Sequence, residues 1–276
     1  MASLQELRKR LRSIQSTGQL AGAMRTAATA KYAKVSRVRD EFTPYARACR
    51  DMLRLLGAAG IEREAELTAP RDCLVILGGN RGLCGGFNAE LLRYLDEELK
   101  KHESPLLLVC GRKAALYLRE RGVPFEDYPL SDVPTYDEIR PLVKRLRELY
   151  VTGKVERVLV VYQSFRNMLT QIPATEQLLP ESEPDGEESY TQPLFLPDRE
   201  TIGAQLAVSC VDAQMFDLAL ENSAGAQAAT IMAMRSACDN AEASAADLAI
   251  TINRRRQAEV TSSVIETASG SVQQGD

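Results

Sequence analysis

The feature that most constrains this chain is helical periodicity without proline at both of its ends. No proline precedes Pro44, and apolar or small residues recur at Leu4, Leu7, Leu11, Ile14, Gly18, Ala21, Met24, Ala28, Tyr32, Val35, Val38 and Phe42, then at Tyr45, Cys49, Met52 and Leu56. Steps of three and four alternate almost throughout, a heptad stripe that predicts a long helix supercoiled left-handedly against a partner. Pro44 is expected to bend this helix without ending it, because the stripe runs past it in register.

The other end is free of proline after Pro197, and twelve of the 31 residues from Ala219 to Ala249 are alanine. Alanine favours helix and lets two helix axes approach closely. Between Asn222 and Asn253 the only charges are Arg235, Asp239, Glu242 and Asp247. A helix so poor in charge is expected to be covered on more than one side. At 1.5 Å per residue, a run of about 55 residues makes a rod on the order of 80 Å long, more than a compact domain of this size buries. Both rods must emerge from what lies between them, so if they pair with each other they run antiparallel.

From about Asp72 to Glu200 the pattern changes to short apolar runs alternating with amphipathic stretches. That alternation marks a parallel α/β unit. Strands are expected at 72–77, 106–109 and 157–162, and helices at 88–101, 112–121 and 136–150. A turn at Gln171-Ile172-Pro173 should lead to an antiparallel edge strand at 174–179, followed by a solvated acidic loop at 181–188. The expected fold class is therefore α/β: a long antiparallel coiled coil of N- and C-terminal helices (1–57 and 204–270) plus a central Rossmann-like α/β domain (70–200).

Several function classes are disfavoured. No run approaches 18 consecutive apolar residues and the first dozen residues mix charge with apolar side chains, so neither a membrane span nor a signal peptide is expected. Six scattered cysteines with no C-x-x-C pair read as reduced and mostly buried. The single histidine, His102, reads as an exposed helix end, which argues against zinc sites and His-based triads. The glycine-rich strand-to-helix turn from Leu77 to Asn88 could in principle cradle phosphate. It lacks the G-x-G-x-x-G spacing and any following Lys-Ser/Thr, and the second strand ends Val109-Cys110-Gly111 without an acid for a ribose. A structural or partner-docking turn is the better reading, and no catalytic residue, cofactor or metal is expected.

Charge is uneven. Residues 1–57 hold twelve Lys/Arg against four Asp/Glu, a net of +8, which leaves −12 for the rest of a chain of formal charge −4. The N-terminal helix is expected to face something acidic. Nucleic acid is disfavoured because no aromatic residues interleave the charges to stack on bases. A nucleotide-binding enzyme with helical extensions, and a coiled-coil scaffold for an acidic partner or nucleic acid, are the competing readings.

The residues that fill this layout resemble the gamma subunit family of rotary ATP synthases from end to end. The matching runs are Met1-Ala2-Ser3-Leu4-Gln5-Glu6-Leu7-Arg8-Lys9-Arg10 with Ala23-Met24-Arg25-Thr26-Ala27-Ala28-Thr29-Ala30-Lys31, then Arg81-Gly82-Leu83-Cys84-Gly85-Gly86-Phe87-Asn88, then Ala233-Met234-Arg235-Ser236-Ala237-Cys238-Asp239-Asn240-Ala241 with Asn253-Arg254-Arg255-Arg256-Gln257-Ala258-Glu259-Val260-Thr261. The resemblance implies a non-catalytic central shaft that couples transmembrane ion flow to ATP synthesis. Its implied partners are three alpha and three beta subunits, epsilon and the membrane c-ring, with no nucleic acid and no direct membrane insertion. The implied location is peripheral, on the cytoplasmic face of the bacterial cell membrane. By position, Met24, Arg25, Arg256, Gln257 and Thr261 match shaft contacts to the alpha/beta collar, and Arg81 and Phe195 match foot contacts to the ring or epsilon. The chain departs from the family pattern at Ala21, Gly22, Asn80, Ala226, Thr230 and Ile252, where polar or charged residues are usual.

Overall fold

A computed structural model describes residues 3–56, 61, 63, 71–180 and 198–272. It divides into a larger compact unit, Ala28–Met232, and a smaller one formed by the residues up to Ala27 together with those from Ala233 onward.

Helix α1 spans Leu4–Leu56 with Pro44 inside it. It starts at a reciprocal cap: the Glu6 amide donates to Ser3 Oγ at 3.2 Å, and the Ser3 amide donates to Glu6 Oε2 at 2.7 Å. Helix α5, the C-terminal one, spans Arg199–Val272. In the smaller unit the two helices run antiparallel, since Gly18 lies against Ala241 and Gly22 against Cys238.

In the larger unit β1 (Cys73–Leu77), β2 (Leu106–Cys110), β3 (Glu126–Asp127), β4 (Val158–Phe165) and β5 (Gln171–Leu179) form one sheet in the order β3-β2-β1-β4-β5. β1 pairs parallel with β2 and β4, β2 parallel with β3, and β4 antiparallel with β5. Helices α2 (Phe87–Leu99), α3 (Arg112–Glu120) and α4 (Tyr136–Val151) cross over between strands. β1 is buried along its whole length, as a central parallel strand covered on both faces must be. Its alternation divides the core. Leu74 and Ile76 pack with Leu91, Leu95 and Leu118 of α2 and α3, whereas Cys73, Val75 and Leu77 pack with Leu142 and Leu146 of α4 and with Val35, Met215 and Leu220 of the long helices. Each such fully buried aliphatic side chain contributes roughly 1.5–3 kcal/mol.

Four expectations need correction. β5 starts at Gln171 rather than after Pro173, and the reversal sits at Arg166–Thr170, where the Arg166 amide donates to the Thr170 carbonyl. Pro173 is tolerated because an edge strand has one side with no ladder to donate to. The two-residue β3 was too short to register as an apolar run. His102 is not exposed: its side chain is 8% accessible, with Nδ1 2.6 Å from Asp72 Oδ2. Finally, the charge-poor C-terminal helix is enclosed only in part. Ala207 to Gln227 is buried on nearly all sides in the larger unit, while much of the stretch from Arg235 to Ile250 is exposed in the smaller one. The acidic loop at 181–188 lies outside the described residues.

Candidate partner-contact surfaces

The glycine-rich turn is locked by its own polar groups. The Gly78 amide donates to the Cys110 carbonyl at 2.6 Å and the Gly79 amide to Asn88 Oδ1 at 3.1 Å, while Asn88 Nδ2 donates to the Arg81 carbonyl at 2.9 Å. At the start of α3 the Arg112 amide donates to Asn80 Oδ1 at 3.3 Å, and Asn80 Nδ2 donates to the Leu130 carbonyl at 2.7 Å. The Gly78, Gly79 and Arg112 amides are thus spent on the fold. Gly111 takes φ +113° with its ideal Cβ position 2.2 Å from the Gly78 carbonyl oxygen, so only glycine lets the two loops meet. Burial raises both the Cys84 thiol within this turn and the Cys110 thiol beside it, which disfavours a reactive thiolate.

Arg81 emerges from this turn with a 67% exposed side chain, its Nε 3.3 Å from Asp132 Oδ2. Asp132 also accepts from Lys31 Nζ at 2.5 Å and from Asn80 Nδ2 at 3.3 Å. Burial acts to raise this carboxyl, but Lys31 and Asn80, with help from Arg81, hold it below the usual carboxylate range. Arg81 therefore presents an outward guanidinium anchored at one edge. Phe195 lies outside the described residues. Sequence reading missed Asp132 and Lys31 because their pairing spans 101 positions and leaves no local pattern.

In the smaller unit Met24 is half-buried and Arg25 exposed, while Arg256, Gln257 and Thr261 are exposed on α5. Thr261 Oγ1 donates back to the Gln257 carbonyl at 2.8 Å, which fixes its hydroxyl along the helix. Extending the Gly18–Ala241 and Gly22–Cys238 register puts Arg256 and Gln257 about level with Leu4. Met24 then lies about 20 helical residues, roughly 30 Å, farther along the pair. The structure thus gathers Arg256, Gln257 and Thr261 on neighbouring turns and keeps Met24 and Arg25 at a separate level.

The same register brings two basic runs together. Arg254, Arg255 and Arg256 of α5 lie level with the first turn of α1, and Arg8, Lys9, Arg10 and Arg12 of α1 follow on its next turns, level with about 247–252, with Glu6, Asp247 and Glu259 as the acidic residues of this stretch. Arg255 Nε and Glu259 Oε1 are 4.0 Å apart, a pair too long and exposed to neutralise the band. The result is a positive girdle suited to acidic partner surfaces. Among the described residues, no group of His, Cys, Asp and Glu could hold a metal ion.

Comparison with known proteins agrees with this layout. The ATP synthase family model matches residues 3–272. The ATP synthase gamma chain of Desulforamulus reducens is 32% identical over 278 residues, covering 98% of each chain, and that of Heliobacterium modesticaldum is 32% identical over 290 residues, covering 100% of each. Among solved structures, a chain of the Euglena gracilis mitochondrial ATP synthase with OSCP, F1 and c-ring superposes with a TM-score of 0.70 at 18% identity, covering 98% of this chain and 94% of that one. A rotor chain of the same enzyme gives a TM-score of 0.65 at 19% identity, covering 93% and 98%. Two long terminal helices around a doubly wound sheet, with matches spanning nearly the whole chain, lead to one assignment: the chain belongs to the gamma-chain family of ATP synthase.

Proposed function

We propose that this rotor subunit works through the exposed faces of its paired helices, around which three alpha and three beta subunits close as a collar. The epsilon subunit and the membrane c-ring meet the α/β unit. A gamma chain is a mechanical part and not a catalyst. Ion flow turns it, and its asymmetric surface makes different contacts with each catalytic subunit in turn. Those differential contacts shift each subunit among binding, synthesis and release states.

One observation carries this reading. The α5 stretch from Arg235 to Ile250 exposes Ser236, Asn240, Ala243, Ser244, Ala246 and Ile250 between the charges of Arg235, Asp239, Glu242 and Asp247, a surface of small side chains that a partner can approach closely. The girdle of Arg8, Lys9, Arg10, Arg12 and Arg254 to Arg256 suits acidic loops of the beta subunits, with Arg256, Gln257 and Thr261 as hydrogen-bonding contacts and Met24 and Arg25 as a second level. Arg81, with Phe195, would face the ring or epsilon. No helix among the described residues is long and apolar enough to cross a membrane, in keeping with a peripheral place on the cytoplasmic face of a bacterial membrane.

Co-purification tests the proposal. A tagged chain is expected to bring alpha, beta and epsilon with it, together with ATP hydrolysis. Recovery of the chain alone would overturn it, and so would salt-sensitive nucleic-acid binding by residues 1–57 in place of those subunits.

A further inference from the structure

In open α/β sheets, ligands bind outside the carboxyl ends of the strands, where the strand order reverses. Here that point lies between β1 and β4. It is filled by the chain's own helix α5. The Gln163 amide at the end of β4 donates to Asn222 Oδ1 at 3.1 Å, and Ser164 Oγ and the Phe165 amide both donate to Glu221 Oε1, at 3.0 and 2.8 Å. The other oxygen of Glu221 accepts from Arg39 Nη2 at 3.2 Å. One carboxylate, 14% exposed, thereby joins β4, α5 and α1.

A second junction stands nearby. Asp132 takes Lys31 of α1 and both Asn80 and Arg81 of the glycine-rich turn on its carboxylate, while its backbone carbonyl accepts from Ser223 Oγ of α5 at 2.7 Å. Arg39 also lies over the Phe165 ring at 5.7 Å, and Tyr32 packs against that ring at 6.1 Å.

On the C-terminal side of Glu221 the seat is lined by small residues, Ala224, Gly225 and Ala228, while Met215, Phe216, Leu218 and Leu220 pack into the core on its N-terminal side. Apolar burial holds the helix in its groove but is non-directional. Charge-assisted hydrogen bonds are directional, and leaving one partner buried and unpaired is costly.

We propose that Glu221 and Asp132 are torque-bearing positioning residues, fixing the angle of α1 and α5 against the sheet so that rotation of the α/β unit is delivered to the helices without slip. This rests on the rotor reading above.

The test uses the assembled membrane complex carrying Glu221→Gln, Asp132→Asn, or both, and measures ions pumped per ATP hydrolysed. ATP hydrolysis should persist while pumping per ATP falls, modestly in each single variant and several-fold in the double. Ser164→Ala removes one donor and leaves Glu221 paired with Arg39 and the Phe165 amide, so it keeps the test readable if the double variant does not assemble. It should lower the ratio slightly in the same direction. An unchanged ratio in every variant that assembles, even with a lowered melting temperature, would reduce both residues to ordinary fold stabilisers and overturn the proposal. Failure of the rotor reading would show separately, as absence of partner subunits from the unsubstituted chain.

Discussion

Gly18 and Ala241 meet so closely across the helix pair that a Cβ built on Gly18 would lie 3.1 Å from the Ala241 Cβ. The same turn brings Cys238 Sγ to 3.6 Å from the Gly18 carbonyl, to which it donates. Gly18→Leu should force the axes apart and cost about 1–3 kcal/mol, as overpacking does. Gly22 has more room, its nearest neighbour being Cys238 Sγ at 4.0 Å. Gly22→Ala should gain up to about 1 kcal/mol of helix propensity. Urea unfolding of the three chains gives the order; a Gly18→Leu chain as stable as the parent would exclude this close approach.

Gly111 makes a stronger demand, because its left-handed φ and the Gly78 carbonyl leave no place for a side chain. Gly111→Ala should cost at least about 3 kcal/mol, through strain plus displacement of the β1 turn. Gly122 also has a positive φ, of +68°, but nothing within 4 Å. Gly122→Ala there should cost only about 1 kcal/mol. Comparable losses at the two sites would show that backbone strain alone, and not the approach to Gly78, decides the outcome.

Asp72 sets part of the acid limit of the α/β unit. Arg157 donates to it through Nε at 2.9 Å and Nη2 at 2.8 Å, with His102 Nδ1 at 2.6 Å. Burial acts to raise this carboxyl, but Arg157 and then His102 outweigh it and hold it below its ordinary range. With the folded value below the unfolded one of about 3.9, the unfolded chain takes up the proton first. The contribution is therefore present above about pH 4 and is lost as pH falls through the folded value. Asp72→Asn should cost about 1.5–3 kcal/mol at pH 7, with the gap to the parent closing in acid. Unfolding measured from pH 7 down to pH 3 would contradict this if the two curves stayed parallel.

Much of this architecture can be read from periodicity, because heptads and buried parallel strands are local patterns that recur over many residues. Leu74 to Leu77 announce a strand in themselves. Asp72 and His102, by contrast, meet only after β1 and the end of α2 are brought side by side, so His102 looks like any exposed helix end in the sequence. Glu221 is harder still. It is one acid in an alanine-rich helix, and its partner Arg39 lies 182 positions away. Asn80 reads as a departure from a motif, yet it both accepts from the Arg112 amide and donates to the Leu130 carbonyl, which an ionised acid there could not do. The contact role proposed for Arg256 is toward other chains, and no packing within this one reveals it.

That last property makes Arg256 and Gln257 a clean test of the partner surface. Both side chains are exposed, so replacing them with alanine should change the stability of the isolated chain by no more than about 0.5 kcal/mol. If they hydrogen-bond the collar, the double substitution should lower ATP synthesis by the assembled complex several-fold while the chain still folds and co-purifies with its partners. A matched control is Arg10→Ala with Gln15→Ala, also exposed, on α1. The girdle retains other cations after loss of Arg10, so this control should have the smaller effect. Coupled synthesis measured in membrane vesicles decides the point: full activity in the Arg256/Gln257 variant would remove these two residues from the contact surface, and a similar loss in both variants would assign the effect to overall charge.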